Sequence, residues 1–214
     1  KGGTFQMGSY TAVAQDNEQP VHTVIVPDFY IGRYEVTQNQ WQAVMGSNPS
    51  DFKGDNRPVE QVSWNDVQLF LDKLEEMTGQ DYRLPTEAEW EFAASGGNKS
   101  RGYKFAGSNS VSSVAWYAMN SDYKSHPVGR KIPNELGIYD MSGNVWEWCS
   151  DWYDSDYYRN SPKKNPKGPD NGKYRVFRGG SWFRNAVHSR SAARSHYSPG
   201  SGSGDIGFRL VFDP

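Results

Sequence analysis

Within eight residues the chain places Asp140, a Gly143–Asn144 turn and Glu147. A carboxylate, a tight turn that exposes backbone carbonyls, and a second carboxylate are the donors that a hard cation such as calcium takes. The spacing is not that of an EF-hand loop. A purely structural reading competes, in which Asp140 caps its own turn and Glu147 pairs with an arginine. A second group of chemically able residues lies downstream. Residues 182–206 read WFRNAVHSRSAARSHYSPGSGSGDI, rigid aromatics mixed with small adaptable polar groups, which is the composition of binding loops. Trp182, Phe183, Arg184, Asn185, His188, His196 and Tyr197 are the candidate contact residues, expected to share one exposed face. Trp, Tyr and Arg are the types that carry most energy when such a face binds. Arg184, Arg190 and Arg194 would favour an acidic or carboxylate-bearing partner, unless acids elsewhere in the fold consume them. A plain solvated loop is the competing reading.

These residues need elements to hold them. In 137–152, GIYDMSGNVWEWCSDW, Trp146 and Trp148 alternate with Val145, Glu147 and Cys149, a period of two that predicts a strand with one aromatic face. Strands are also predicted at 2–9, 21–26, 29–36, 174–178 and 207–212. Three helices follow from their start signals. Thr37 caps one that runs to Met45 before Gly46. Ser63 opens another, with Val67, Phe70, Leu71, Leu74 and Met77 at helical spacing up to Gly79. Thr86 and Glu89 form a capping box ahead of Trp90. Residues 98–113 and 155–172 are polar and read as loops.

A chain of 214 residues fits a single domain, 1–214. Its 8 tryptophans and 22 glycines predict an aromatic core threaded by many turns. A net charge of -2 gives no global field toward nucleic acid. No stretch is apolar and long enough for a membrane span. With one cysteine, Cys149, neither an internal disulfide nor a cysteine-cluster metal site can form. No nucleophile elbow, phosphate loop or dinucleotide fingerprint is present.

The stretch GIYDMSGNVWEWCSDW resembles the signature of the formylglycine-generating enzyme, or sulfatase-modifying factor, domain family. GGTFQMGS, YEVTQNQW, YRLPTEAEWEFAA, RVFRGGSW and GFRLVF agree in the same order, so the resemblance spans nearly the whole chain. It implies an α+β, C-type-lectin-like fold poor in regular structure. It also implies one structural calcium on the side chains of Asp140 and Glu147 with the carbonyls of Gly143 and Val145. The family's second calcium site begins with an asparagine where this chain has Val114, and no second site is expected.

Catalytic members of the family oxidise a cysteine with copper held by two cysteines downstream of the GGS turn. Copper(I) selects soft thiolates. Arg184 stands at the first of those positions and Ser189 near the second, so the expected role is binding a ligand or protein partner without oxidase activity. A related branch holds iron on histidines, and here only His188 and His196 are near each other in sequence. The segment 182–206 also resembles the variable region of lectin-fold proteins diversified by retroelements, which share its GGSW to GFRLV frame. The expected setting is the bacterial periplasm or cell surface rather than the cytoplasm. Alternatives are an oxidase of the same family with an altered metal site, and a structural domain of an envelope assembly.

Overall fold

The aromatic strand is the centre of the largest sheet. The computed structural model describes all 214 residues. Its strands are β1 (Gly3–Met7), β2 (His22–Val26), β3 (Tyr30–Ile31), β4 (Trp146–Trp152), β5 (Arg175–Arg178), β6 (Arg194–Tyr197), β7 (Ile206–Gly207) and β8 (Val211–Phe212). The main sheet has the order β6-β5-β4-β7, with β7 parallel to β4 and the other neighbours antiparallel. β1 pairs with β2 and β3 with β8 in two small antiparallel ribbons.

Three helices surround this sheet: α1 (Gln38–Met45), α2 (Trp64–Thr78) and α3 (Glu87–Ala94). Each begins in a full capping box, Thr37 with Gln40, Ser63 with Asp66, and Thr86 with Glu89. Each box satisfies two backbone N–H groups that a helix start would otherwise leave bare. α1 and α2 end on left-handed glycines, Gly46 and Gly79. Met77, expected on the inner stripe of α2, is instead 62% exposed. The helix outruns the core it packs on, so its last turn has nothing to cover.

Two strands are shorter than their patterns predict. The run 29–36 pairs only at Tyr30–Ile31, and 207–212 divides into β7 and β8. The segment between β7 and β8 crosses from one sheet to another. Its backbone still bonds to the first run, through Gly32 to Leu210 and Val36 to Phe208. The crossing drives Arg209 into the interior, where it is fully buried.

Alternation along β4 divides the interior in two. Trp146 and Trp148 pack with Trp41, Phe70, Phe177 and Phe208 on one side. Cys149 packs with Trp90, Met141 and Val176 on the other. Single helical turns interrupt both polar loops, at Val111–Val114 and Tyr157–Asn160.

Candidate functional site

The acidic turn is built from left-handed backbone. Asp140, Gly143 and Asn144 have φ of 58°, 79° and 62°. Gly143 admits no side chain, because a Cβ there would lie 2.2 Å from the Trp116 carbonyl oxygen. Its N–H donates to Gly179, and the buried Val145 N–H donates to Glu35 at 3.2 Å. Asn144 reaches the other oxygen of Glu35 at 2.6 Å. Glu35 escaped sequence reasoning. Its only signal was an acid inside the apolar run YIGRYEV.

Arg209 completes the cluster. It grips Glu147 with two bonds of 2.6 Å, while Trp90 Nε1 donates to the same carboxylate at 2.6 Å. Gly129 donates to Asp140 Oδ2 at 2.7 Å, and the buried Asp140 Oδ1 has no partner. Burial pushes Asp140 up to about 6 and, with Asp140 and Glu147 close by, lifts Glu35 well above the usual carboxylate range. Asp140 therefore keeps one oxygen without a hydrogen-bond partner. Glu147 does not fit a calcium ligand as arranged, because Arg209 and Trp90 already hold both its oxygens. The pairing with an arginine, open from sequence alone, is the one the fold builds.

The same device recurs with other arginines, and it corrects the expectation of a cationic surface. Arg190 forms a two-pronged pair with Glu18, and Arg194 with Glu87. Arg178 joins Glu91 and also lies 3.5 Å from Glu87. All are buried. Of the three arginines expected to attract an anion, only Arg184 remains at the surface.

The downstream segment is anchored by short polar bonds. Ser181 donates to Asp205 at 2.8 Å, and the Trp182 indole donates to the Gly204 carbonyl at 2.9 Å. None of the seven candidate contact residues is buried. Trp182 leaves a partly open ring, edge-on to Phe52 at 5.2 Å and beside Phe183 at 5.4 Å. Phe183 is 51% exposed, and Arg184 and Asn185 continue the exposed run. Tyr197, also exposed, lies edge-on to Phe177, and His188 lies edge-on to Trp146 at 6.0 Å.

His196 does not join them. It stacks on Tyr153 at 4.0 Å, on the opposite face of β6 from Tyr197. Consecutive strand residues point to opposite faces, so Tyr197 and His196 cannot share one. The expected single face of seven therefore cannot include His196 together with Tyr197. The same alternation separates His196 from His188, and the two histidines do not meet.

At the copper-ligand positions the donors are wrong. Arg184 presents a guanidinium, and Ser189 is a buried hydroxyl. Cys149 lies on the opposite face of β4 from Trp146, and burial pushes its thiol well above its ordinary value. These residues do not fit a copper(I) ion.

A profile of the "Sulfatase-modifying factor enzyme 1-like domain" matches residues 1–214. The chain belongs to the sulfatase-modifying-factor family. Among relatives, it is 38% identical to the "Chaperone protein LppX" of Paenibacillus barcinonensis, over 88% of this chain and 81% of that one. It is 33% identical to the formylglycine-generating enzyme of Streptomyces coelicolor, over 99% and 87%. Among solved structures, "Treponema denticola variable protein 1" superposes with a TM-score of 0.88 at 34% identity, covering 100% of this chain and 95% of that one. The fold is thus the α+β sulfatase-modifying-factor fold, and no helix is long and apolar enough to cross a membrane.

Proposed function

We propose that this domain binds a ligand or protein partner through the surface of its C-terminal segment and does not oxidise cysteine. The observation that carries this reading is the pair of exposures at Phe183 and Tyr197 on a segment held rigid by β5, β6 and β7. Large aromatics left in water, on loops fixed by a scaffold, favour recognition. The absence of thiolates from the copper-ligand positions points the same way. The Treponema protein is named a variable protein and the Paenibacillus relative a chaperone, two descriptions that suit a binder better than an oxidase. Diversification of this segment on a lectin-type frame, and a cell-envelope setting, belong to the same proposal.

A partner screen tests it. Hits should be lost in Phe183→Ala and Tyr197→Ala while the circular dichroism spectrum is retained. Hits indifferent to both would place the site elsewhere. The catalytic half is tested by mass spectrometry of a cysteine-containing sulfatase peptide incubated with the protein and copper. No formylglycine is expected, and turnover would overturn the reading.

Calcium enters as a separate proposal. Asp140 is its side-chain donor with the carbonyls of Gly143 and Val145, while Glu147 contributes charge but no bond. An ion bound only to the folded state stabilises it by mass action, so a chelator should lower the melting temperature. An unchanged melting temperature in both wild type and Asp140→Asn would remove calcium from this protein.

A further inference from the structure

Beneath the exposed aromatics lies a cavity of about 300 Å³, lined by Asp51, Phe52, Trp182, Phe183, Gly204 and Asp205. It sits inside the candidate binding surface, but its chemistry is the reverse of what the sequence suggested for that surface. Asp51 Oδ2 accepts from Gln61. Asp205 accepts from Ser181 and Ser203, and Arg184 stands 3.6 Å from it at the rim, half exposed and not seated in the cavity.

Behind these two acids lies Glu60, whose side chain is completely buried. One of its oxygens accepts the Phe52 N–H, and the other, Oε2, has no partner at all. Gly204 lies against both Glu60 and Asp51. A Cβ on Gly204 would sit 3.0 Å from Asp51 Oδ2 and 3.7 Å from Glu60 Oε2. Both oxygens therefore converge on the bare face of a glycine in the cavity wall. Lys53, the nearest ammonium, is exposed and bonds to the Asn48 carbonyl.

A buried carboxylate oxygen without a donor is costly, and Glu18, Glu87, Glu91 and Glu147 are each paired with a buried arginine. Glu60 has no arginine or lysine in a salt bridge with it, only backbone N–H donors and the more distant Lys53. Asp51 and Asp205 line the cavity with three aromatic rings, and Glu60 lies behind Gly204; carboxylates and rings together stabilise an organic cation, by charge and by ring quadrupole.

We propose that the cavity is an ammonium-binding site, taking a primary amine carried either by a small molecule or by a lysine of a partner protein. Asp51 and Glu60 supply the charge, and Phe52, Trp182 and Phe183 supply the walls. This deepens the binding reading of the same surface and rests on it. Burial lifts Glu60 to about 7, against the backbone N–H groups of Asp51 and Phe52 that favour its charged form, and a visiting cation would favour that form further.

The test titrates the intact chain, by calorimetry and Trp182-dependent fluorescence, with four probes: butylamine, an oligolysine peptide, its fully acetylated counterpart, and hexanoate. Saturable binding of butylamine, or of the oligolysine peptide alone, is expected, weakened at least about tenfold in both Asp51→Asn and Glu60→Gln. Butylamine binding identifies the small-molecule source, and binding of the peptide alone identifies the lysine. Both substitutions keep size and hydrogen-bonding capacity, and melting curves show that each variant is folded. Binding unaffected by either substitution, equal binding of the acetylated peptide, or a preference for hexanoate would overturn the proposal. If the amines fail while Phe183→Ala and Tyr197→Ala still abolish partner binding, the cavity is lost and the surface reading stands. If partner binding is indifferent as well, both fall.

Discussion

Two acidic clusters in this protein are built from the same side chains and differ in one respect. Around Glu147, a buried arginine answers the buried acid. Around Glu60, Asp51 and Asp205, no cation is seated among them. Buried charge without a partner is strongly unfavourable, so the Arg209–Glu147 pair is scaffold, and the second cluster is a place where something else would complete the balance. Residue type alone did not distinguish them. The location of the arginine did.

This contrast should produce opposite signs on neutralising one carboxylate. The largest expected effect is in the matched cluster. Glu147→Gln or Arg209→Met leaves the other group buried and unpaired, at a cost of about 3–5 kcal/mol. Urea unfolding would measure it. A loss below about 1 kcal/mol would mean that water or an ion reaches Glu147 and that the contrast is false.

In the unmatched cluster the sign reverses. Burial lifts the carboxyl of Glu60 in the fold from its ordinary value of 4.5 to about 7, so the folded state holds the proton more tightly than the unfolded chain. Its contribution is most favourable below about 4.5, falls as pH rises toward about 7, and is flat beyond. Glu60→Gln should remove that slope. The variant should melt at or above the wild type at pH 8 and lose its advantage at pH 4.5. A melting temperature lower than wild type at pH 8 would show that Glu60 is satisfied after all.

The smallest effects belong to the exposed aromatics. Phe183→Ala and Tyr197→Ala should each change stability by no more than about 0.5 kcal/mol, because neither ring fills the interior. Chemical denaturation checks this. A loss several times larger would assign those rings to the core and take them from the binding surface.

Much of the scaffold was legible because its rules are local. A capping box spans only four residues; the Thr86–Glu89 box was legible in full, and Thr37 and Ser63 were legible as helix starts although their Gln40 and Asp66 partners were not. The two-residue alternation of 145–149 predicted which tryptophans share a face. Strand ends were less legible. The division of 207–212 between two sheets depends on where 29–36 lies, which no local pattern contains. For the site, the exposure of Phe183 and Tyr197 followed from an aromatic-rich segment anchored at both ends. The separation of His196 from Tyr197 was implicit in strand periodicity, yet it needed β6 to be recognised, and RSHY carries too weak a strand signal. Glu35 and Glu60 were missed because a lone acid in an apolar run says nothing about which donor will meet it.

By itself the sequence determined the family frame, the helix starts, the aromatic centre and the lack of thiolates where copper would need them. These are matters of residue type and short spacing, and they survive any arrangement of the rest. Tertiary structure alone decided which charges cancel. Arg190 meets Glu18 across 172 positions, Arg194 meets Glu87 across 107, and Arg209 meets Glu147 across 62. Electrostatic balance depends on distance in space and on exclusion of water, and neither is a function of distance along the chain.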